Sequence, residues 1–369
     1  MRITELSQEK KDGLYIASGG SHPKLAYDIA NAMGTVIGGT EDNYLTAEEL
    51  DSRPERELGG IKRKTFDNSE SYVRYDRSVR DKEVIIVQSP LAIDGHSVND
   101  WAWETAQMAD AAYQGNASKI ILFIPLLPYS RSDVNYGRES LSSQLFFKLI
   151  EVAGVNHIVT VDNHSKQSLA GFRGHVDHIS ARPLFVEALK SEIGNNNANY
   201  AVVSPDAGRY KTSEIYANQL GVKLVNVPKN RDENGKVIRA NYIEGVGGKI
   251  CIVTDDMIDT SGTIVSVAET LKNSGATAVI VAATHGIFSG PAIERLQNAP
   301  MIEKIYVTNT LPQEHNIDSL NTISLKDGTN KEVDRFNVLS IAQLGGIALK
   351  EIIISRGSIS QNYPGGNQH

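Results

Sequence analysis

With 369 residues, 40% of them apolar and 22% charged, the chain has an ordinary globular composition and the length for two domains. Its net charge of −7 argues against a general nucleic-acid binder, and its one cysteine, Cys251, excludes an internal disulfide. The start Met1-Arg2-Ile3-Thr4-Glu5 lacks the apolar core of a signal peptide, and no apolar run reaches membrane-spanning length. A cytoplasmic protein without nucleic-acid or membrane partners is expected.

Gly13-Leu14-Tyr15-Ile16-Ala17 reads as a first strand, closed by the turn Ser18-Gly19-Gly20-Ser21-His22. Lys24 to Met33 follow with Leu25, Ile29 and Met33 on one helical face. Residues 40–60 are acidic and show no long apolar face. They read as an inserted surface segment, part helical around Thr46-Ala47-Glu48-Glu49-Leu50. Phe66-Asp67-Asn68-Ser69-Glu70 sets an aromatic ring among donors and acceptors, a combination that can stack on a purine and read its edge.

Glu83 to Ser89 and Lys119 to Pro125 are buried-type strands. Between them Asn99 to Ala112 reads as a helix, with Trp101, Trp103 and Met108 in packing roles. The second strand leads into Pro128-Tyr129-Ser130-Arg131-Ser132-Asp133. Ser140 to Ala153 reads as a helix capped by Ser140, with Leu141, Leu145, Leu149 and Val152 inward. His157 to Val161 is a strand ending in Asp162-Asn163-His164-Ser165.

The second half repeats this alternation of strand and helix. Strand Tyr200 to Val203 opens into Ser204-Pro205-Asp206-Ala207-Gly208, followed by Arg209, Tyr210 and Lys211. Strand Lys223 to Val227 delivers Pro228-Lys229-Asn230-Arg231. Strands Ala278 to Ala283 and Ile302 to Val307 follow, then a smaller insertion near 325–336, a helical stretch from Val338 to Ile354 and a frayed end from Gln361 to His369.

The most informative stretch is Val253-Thr254-Asp255-Asp256-Met257-Ile258-Asp259-Thr260-Ser261-Gly262-Thr263-Ile264. It follows the apolar run Lys249 to Val253. It precedes Ile264, Val265, Ala268 and Leu271, which recur at helical spacing until Gly275. The reading is a strand, a tight polar loop and a helix start. A helix start offers unpaired N–H groups and the positive end of a dipole, which suit an anion. Thr260, Ser261 and Thr263 add hydroxyls, and Gly262 lets the backbone come close. Asp255 and Asp256 can accept hydrogen bonds from vicinal sugar hydroxyls. Acids beside a phosphate cradle suit a ribose phosphate better than a phosphate alone.

This stretch resembles the phosphoribosyl-diphosphate (PRPP) binding loop of the phosphoribosyltransferase fold. With the motifs around Ser18, Phe66, Arg131, His164, Asp206 and Lys229, the chain from about Gly13 to about Ile354 resembles the ribose-phosphate diphosphokinase (PRPP synthetase) family. The resemblance implies an α/β protein of two tandem phosphoribosyltransferase-type doubly wound domains with mainly parallel sheets. They would span 1–180 and 181–369, with the C-terminal helix packing back on the first.

The implied reaction is transfer of the β,γ-diphosphoryl group of ATP to the anomeric hydroxyl of ribose 5-phosphate, with release of AMP. By the same resemblance Phe66, Asn68, Glu70, Arg131, Ser132 and His164 bind ATP, and His164 and Asp206 hold Mg²⁺. Lys229, Arg231 and His164 are catalytic. Asp206, Lys211, Asp255, Asp256, Asp259, Thr260, Ser261, Gly262 and Thr263 hold the ribose phosphate. A homo-oligomer, dimer or hexamer, is implied as well.

The chain departs from the family pattern at Ser132, Tyr136, Gly137 and Asn163, and at Arg209, where the family has glycine. Asn163, Arg209, Tyr210 and the insertion at 40–60 keep open an extended acceptor such as ADP-ribose, with Arg209 and Tyr210 as the cation and stacking group near its phosphate end. A PRPP-consuming transferase would not need the Phe66 segment, Arg131 or the Lys229/Arg231 pair. A non-catalytic, synthetase-associated regulatory subunit would not need His164, Lys229 and Arg231.

Overall fold

The computed structural model describes residues 6–38, 60–132, 137–164, 169, 171–205, 207–226, 229–231, 237–239, 242–324 and 329–354. Residues 40–59 of the acidic segment, Tyr136, Asp206, residues 325–328 and the C-terminal stretch from 361 lie outside them. The chain forms two units, one of Met1–Ser180, Thr310–Pro312 and Ser340–His369, the other of Ala181–Asn309 and Gln313–Leu339.

The first unit contains α1 (Gln8–Asp12), β1 (Leu14–Ser18), α2 (Pro23–Met33), β2 (Ile61–Thr65), β3 (Ser71–Tyr75), β4 (Glu83–Val87) and α3 (Val98–Gln114). It continues with β5 (Lys119–Phe123), α4 (Ser142–Val152), β6 (His157–Val161) and β7 (His175–Ile179). Strands β1, β4, β5, β6 and β7 form a parallel sheet in that order. Ile16 of β1 also makes a parallel bridge to Ile37, on the edge away from β4. The order therefore reverses at β1, and the β1/β4 crevice is a topological switch point. Every residue of β1 and β6 is buried, as in a parallel sheet covered on both faces.

Local signals set the helix ends. α2 starts on Pro23 and stops at Gly34, which takes the left-handed conformation (φ 70°). α3 starts with a capping box: Asp100 N–H donates to Ser97 Oγ at 3.3 Å and Ser97 N–H to Asp100 Oδ2 at 2.7 Å. Those bonds to Ser97 hold the Asp100 carboxyl below its ordinary range.

α4 corrects one expectation. Leu141 is its N-cap, and Ser143, Phe146, Phe147 and Ile150 face inward. Leu145 and Val152 stand 61% and 85% exposed. The helix is apolar on two faces, and the two phenylalanines, which bury more area than the leucines, take the core side. Trp103 is also exposed, whereas Trp101 and Met108 are buried.

The second unit contains α5 (Arg182–Ile193), β8 (Tyr200–Ser204), α6 (Tyr210–Leu220), β9 (Lys223–Asn226), β10 (Lys229–Arg231), β11 (Val237–Arg239), β12 (Ile250–Ile258) and α7 (Gly262–Asn273). It continues with β13 (Ala278–Gly286), α8 (Ala292–Gln297), β14 (Ile302–Thr308), α9 (Ile317–Leu320), β15 (Thr322–Ser324), β16 (Asn330–Glu332) and β17 (Phe336–Leu339). Its parallel sheet runs β17-β14-β13-β12-β8-β9. The order reverses between β8 and β12, a second switch point. Val338 lies in β17, not in a helix, because Ile305 to Thr308 of β14 take up Phe336 to Leu339 as an edge strand.

Arg335 is buried at 1% exposure among backbone carbonyls. It donates to Leu320 O at 2.6 Å, Leu296 O at 3.1 Å, and Ile302 O and Thr322 O at 3.3 Å. Leu296 and Leu320 lie in the last turns of α8 and α9, so one cation satisfies two helix ends. Burial pulls its pKa down to about 10.

The last helix, α10 (Ala342–Ile354), belongs to the first unit and packs on α2. A Cβ on Gly346 would come within 2.7 Å of Ala32 Cβ, and one on Gly345 within 2.9 Å of the Phe123 ring. The two glycines permit that close approach. No helix among the described residues is long and apolar enough to cross a membrane.

Candidate active site

In the second unit β12 does not stop at Val253. It runs on to Ile258, because Asp255, Met257 and Ile258 pair with Ala283, His285 and Gly286 of β13. Asp255 and Asp256 are therefore strand residues, and the loop shrinks to Asp259, Thr260 and Ser261. Asp256 N–H donates to Asp255 Oδ1 at 2.9 Å, and Met257 N–H to Asp256 Oδ1 at 3.0 Å. Burial pushes the Asp255 carboxyl up to about 7, the side-chain hydrogen bond it shares with the Asp256 carboxyl adds to this, and Arg209 and the Asp256 N–H pull against it.

The N-terminus of α7 follows at once. Ser261 has φ 61°, the left-handed region that costs a non-glycine residue on the order of 1–2 kcal/mol. Its hydroxyl is buried, caps nothing and finds no hydrogen-bond partner. A buried orphan hydroxyl at the positive end of a helix is a place prepared for an anion. A Cβ on Gly262 would lie 3.3 Å from Arg295 Nη1, a tight approach that glycine avoids. That same nitrogen donates to Thr260 O at 2.8 Å and ties the loop to α8.

Arg209 sits at the N-cap of α6, at the carboxyl end of β8 and hence at the switch point beside β12. Its Nη2 lies 3.2 Å from Asp255 Oδ1 and is also paired with Asp256 Oδ1. Lys211 is exposed in the first turn of α6. Lys229 and Arg231 lie on β10, whose backbone pairs antiparallel with β11, Lys229 opposite Arg239 and Arg231 opposite Val237.

In the first unit the β2–β3 hairpin carries Phe66 to Glu70 at its turn, closed by Phe66 N–H on Glu70 O at 2.8 Å. The hairpin lies along α3, held by Ser71 Oγ on Gln107 Oε1 and Gln107 Nε2 on Ser71 O, both at 2.8 Å. Between them opens a cavity of about 840 Å³, lined by Gly20, Arg63, Phe66, Glu70, Trp103 and Glu104 among others. Phe66 is 42% exposed, with Lys64 Nζ 4.5 Å from its centroid and Tyr72 edge-on at 6.2 Å. An exposed ring with a cation beside it can stack on a flat base and offer charge to a phosphate. Asn68 does not line the cavity; its Oδ1 accepts from Glu70 N–H at 3.2 Å and shapes the turn.

Arg131, Ser132 and His164 do not line this cavity either. They follow β5 and β6, neighbours in the sheet. Ser132 Oγ donates to Ser140 O at 2.9 Å, which fixes the chain ahead of α4. Arg131 and His164 are exposed at the strand ends. Among the described residues no three His, Cys, Asp or Glu side chains gather as a metal cluster.

The sequence reading missed Glu104. It accepts from Gly20 N–H at 2.7 Å and Gln88 Nε2 at 3.1 Å, and faces Arg63. Its signal was a carboxylate three residues after Trp101 on an otherwise apolar helix stripe. Arg295 was missed too, and nothing in its surroundings in sequence marks it.

Residues 14–154 match the family model of the N-terminal domain of ribose phosphate pyrophosphokinase, and residues 198–334 that of the phosphoribosyl synthetase-associated domain. The chain is 35% identical over 360 residues to a ribose-phosphate pyrophosphokinase of Streptomyces coelicolor, spanning 96% of this chain and 97% of that protein. It is 37% identical over 330 residues to one of Bifidobacterium longum, spanning 88% and 89%. The crystal structure of phosphoribosylpyrophosphate synthetase from Mycobacterium smegmatis matches with a TM-score of 0.74 at 33% identity, over 94% of this chain and 100% of that one. Two parallel-sheet units and similarity along nearly the whole length agree: the chain belongs to the ribose-phosphate pyrophosphokinase, or PRPP synthetase, family.

Proposed function

We propose that the chain transfers the diphosphoryl group of ATP to the anomeric hydroxyl of ribose 5-phosphate, giving PRPP and AMP. The sugar oxygen attacks the β-phosphorus in line and gives up its proton. The bond from the β-phosphorus to the α,β-bridging oxygen breaks, and AMP leaves with that oxygen. One anion approaches another, so the work of the site is positioning and charge neutralisation. The observation that carries the reading is the pair of acids at the end of β12, one short loop from the orphan hydroxyl of Ser261 at the start of α7.

In this reading Asp255 and Asp256 take the ribose hydroxyls. Asp259, Thr260, Ser261, Gly262 and Thr263 take the 5-phosphate, with Asp206 and Lys211 alongside. Phe66 and Glu70, on the wall of the 840 Å³ cavity, take the adenine, with Asn68 shaping their turn, and Arg131, Ser132 and His164 take other parts of the ATP. Lys229 and Arg231 neutralise charge on the transferring group. His164, exposed after β6, suits Mg²⁺, which needs few protein ligands when phosphate oxygens and water complete its shell, and Asp206, outside the described residues, is kept as a second candidate ligand. Bound there, the ion would screen the phosphate charge.

ADP-ribose as acceptor finds no support at Arg209, whose guanidinium is engaged by Asp255 and Asp256. Release of AMP from ATP, measured with ribose 5-phosphate, ADP-ribose and ribose, tests the reading. Turnover with ribose 5-phosphate alone is expected; none with ribose 5-phosphate refutes it. We also propose a homo-oligomer, at least a dimer, consistent with the exposed apolar face of α4 at Leu145 and Val152. A monomer in light scattering at micromolar concentration would overturn that.

A further inference from the structure

We propose that Arg209 is a positioning residue of the acceptor site, locking the carboxylates of Asp255 and Asp256 in the orientation that takes the two vicinal hydroxyls of the sugar. The inference rests on the reading that ribose 5-phosphate binds at β12 and α7, and adds to it a residue from a different strand.

Both acids present Oδ1 to Arg209. Asp255 Oδ1 accepts from Asp256 N–H at 2.9 Å and meets Arg209 Nη2 at 3.2 Å. Asp256 Oδ1 accepts from Met257 N–H at 3.0 Å and meets the same nitrogen. One guanidinium nitrogen thus bridges two carboxylates, and Asp255 Oδ2 takes part in none of these contacts. A sugar hydroxyl can be accepted at Asp255 Oδ2 without displacing Arg209. Arg209 therefore acts as a support and not as a stopper.

The electrostatics agree. Two adjacent carboxylates, one of them 5% exposed at the side chain, repel each other and lose solvation. Arg209 pulls the Asp255 carboxyl down against the rise that burial causes, so without it the pair would hold a proton more tightly, and a protonated member accepts fewer hydrogen bonds from a diol. The 26% exposed Arg209 supplies the compensating charge from the one place the topology makes adjacent, the loop after β8. A lysine could restore the charge there but not the fixed placement that a planar guanidinium gives the bridging nitrogen.

Steady-state kinetics of AMP release at saturating Mg–ATP test this with R209A, R209Q and R209K. We expect R209A and R209Q to raise KM for ribose 5-phosphate by at least ~10-fold, with KM for ATP within about twofold, and R209K to recover part of the loss. R209Q keeps the side-chain stem, so it carries the test if R209A does not fold. An unchanged or lowered KM for ribose 5-phosphate in folded R209Q overturns the proposal, and a lowered KM would make Arg209 a stopper instead. A wild-type chain that releases no AMP with ribose 5-phosphate overturns the functional reading, and this inference with it.

Discussion

Arg63 Nε lies 3.3 Å from Glu104 Oε2, close enough for charge attraction without being aligned for a hydrogen bond. Their side chains are 12% and 10% exposed, so the pair is largely removed from water. It fastens the β2–β3 hairpin to α3, and both residues line the 840 Å³ cavity. R63A leaves Glu104 buried beside Gly20 and Gln88 without its cation. We expect a loss of stability of about 3 kcal/mol, the low end for breaking a buried pair. KM for ATP should rise while KM for ribose 5-phosphate stays near wild type. Denaturant titration and two-substrate kinetics read both effects.

The hairpin of β10 and β11 carries the two cations assigned to the transferring group. K229A and R231A should each lower kcat by at least ~10²-fold, because they act on charge that develops only in the transition state. Thermal unfolding of both variants should match wild type. A double variant that still turns over at near-normal rate would remove these residues from the mechanism.

Asp255 makes stability depend on pH in a defined direction. Its carboxyl titrates near 7 in the folded chain, above the ordinary 3.8. The folded state therefore holds this proton more tightly than the unfolded one. The contribution is complete below the unfolded value and disappears as pH rises through the folded one. D255N cannot titrate. From about pH 5 to about pH 8 the wild-type Tm should fall by about 2–4 °C more than that of D255N. Parallel Tm profiles would refute the assignment.

Arg335 should matter for folding alone. R335M leaves the carbonyls of Leu296, Ile302, Leu320 and Thr322 buried without this donor. The expected cost is about 3–5 kcal/mol. R335K should recover less than half, since an ammonium cannot spread its donors over four carbonyls in a planar fork. Denaturation midpoints measure both. Activity per folded molecule should not change.

Much of this molecule was legible in sequence, and the misses share a cause. The apolar runs Leu14 to Ala17 and Tyr200 to Val203 could be little else than buried strands, and the loop before the helix start at Gly262 was readable from residue types alone. The acids also misled. Two carboxylates in a row look like the end of a strand, but pairing with β13 carries β12 past them to Ile258. On α4 periodicity admitted two apolar stripes and could not rank them. The contacts of Glu104 with Arg63 and of Arg209 with Asp255 join residues 41 and 46 positions apart. Only a three-dimensional arrangement reveals such pairs.

The placement of α10 has a consequence for how the protein is made. The first unit consists of Met1–Ser180 with a short Thr310–Pro312 piece and Ser340–His369, so its closing helix is synthesised after all of Ala181–Asn309. Until Gly345 and Gly346 arrive, the surfaces of Ala32 and Phe123 have nothing to pack against them from α10. A nascent chain must hold an unfinished domain through the synthesis of a complete second one. Expression of residues 1–180 alone would produce that unfinished state as its end point, with an apolar seam open to any neighbouring chain.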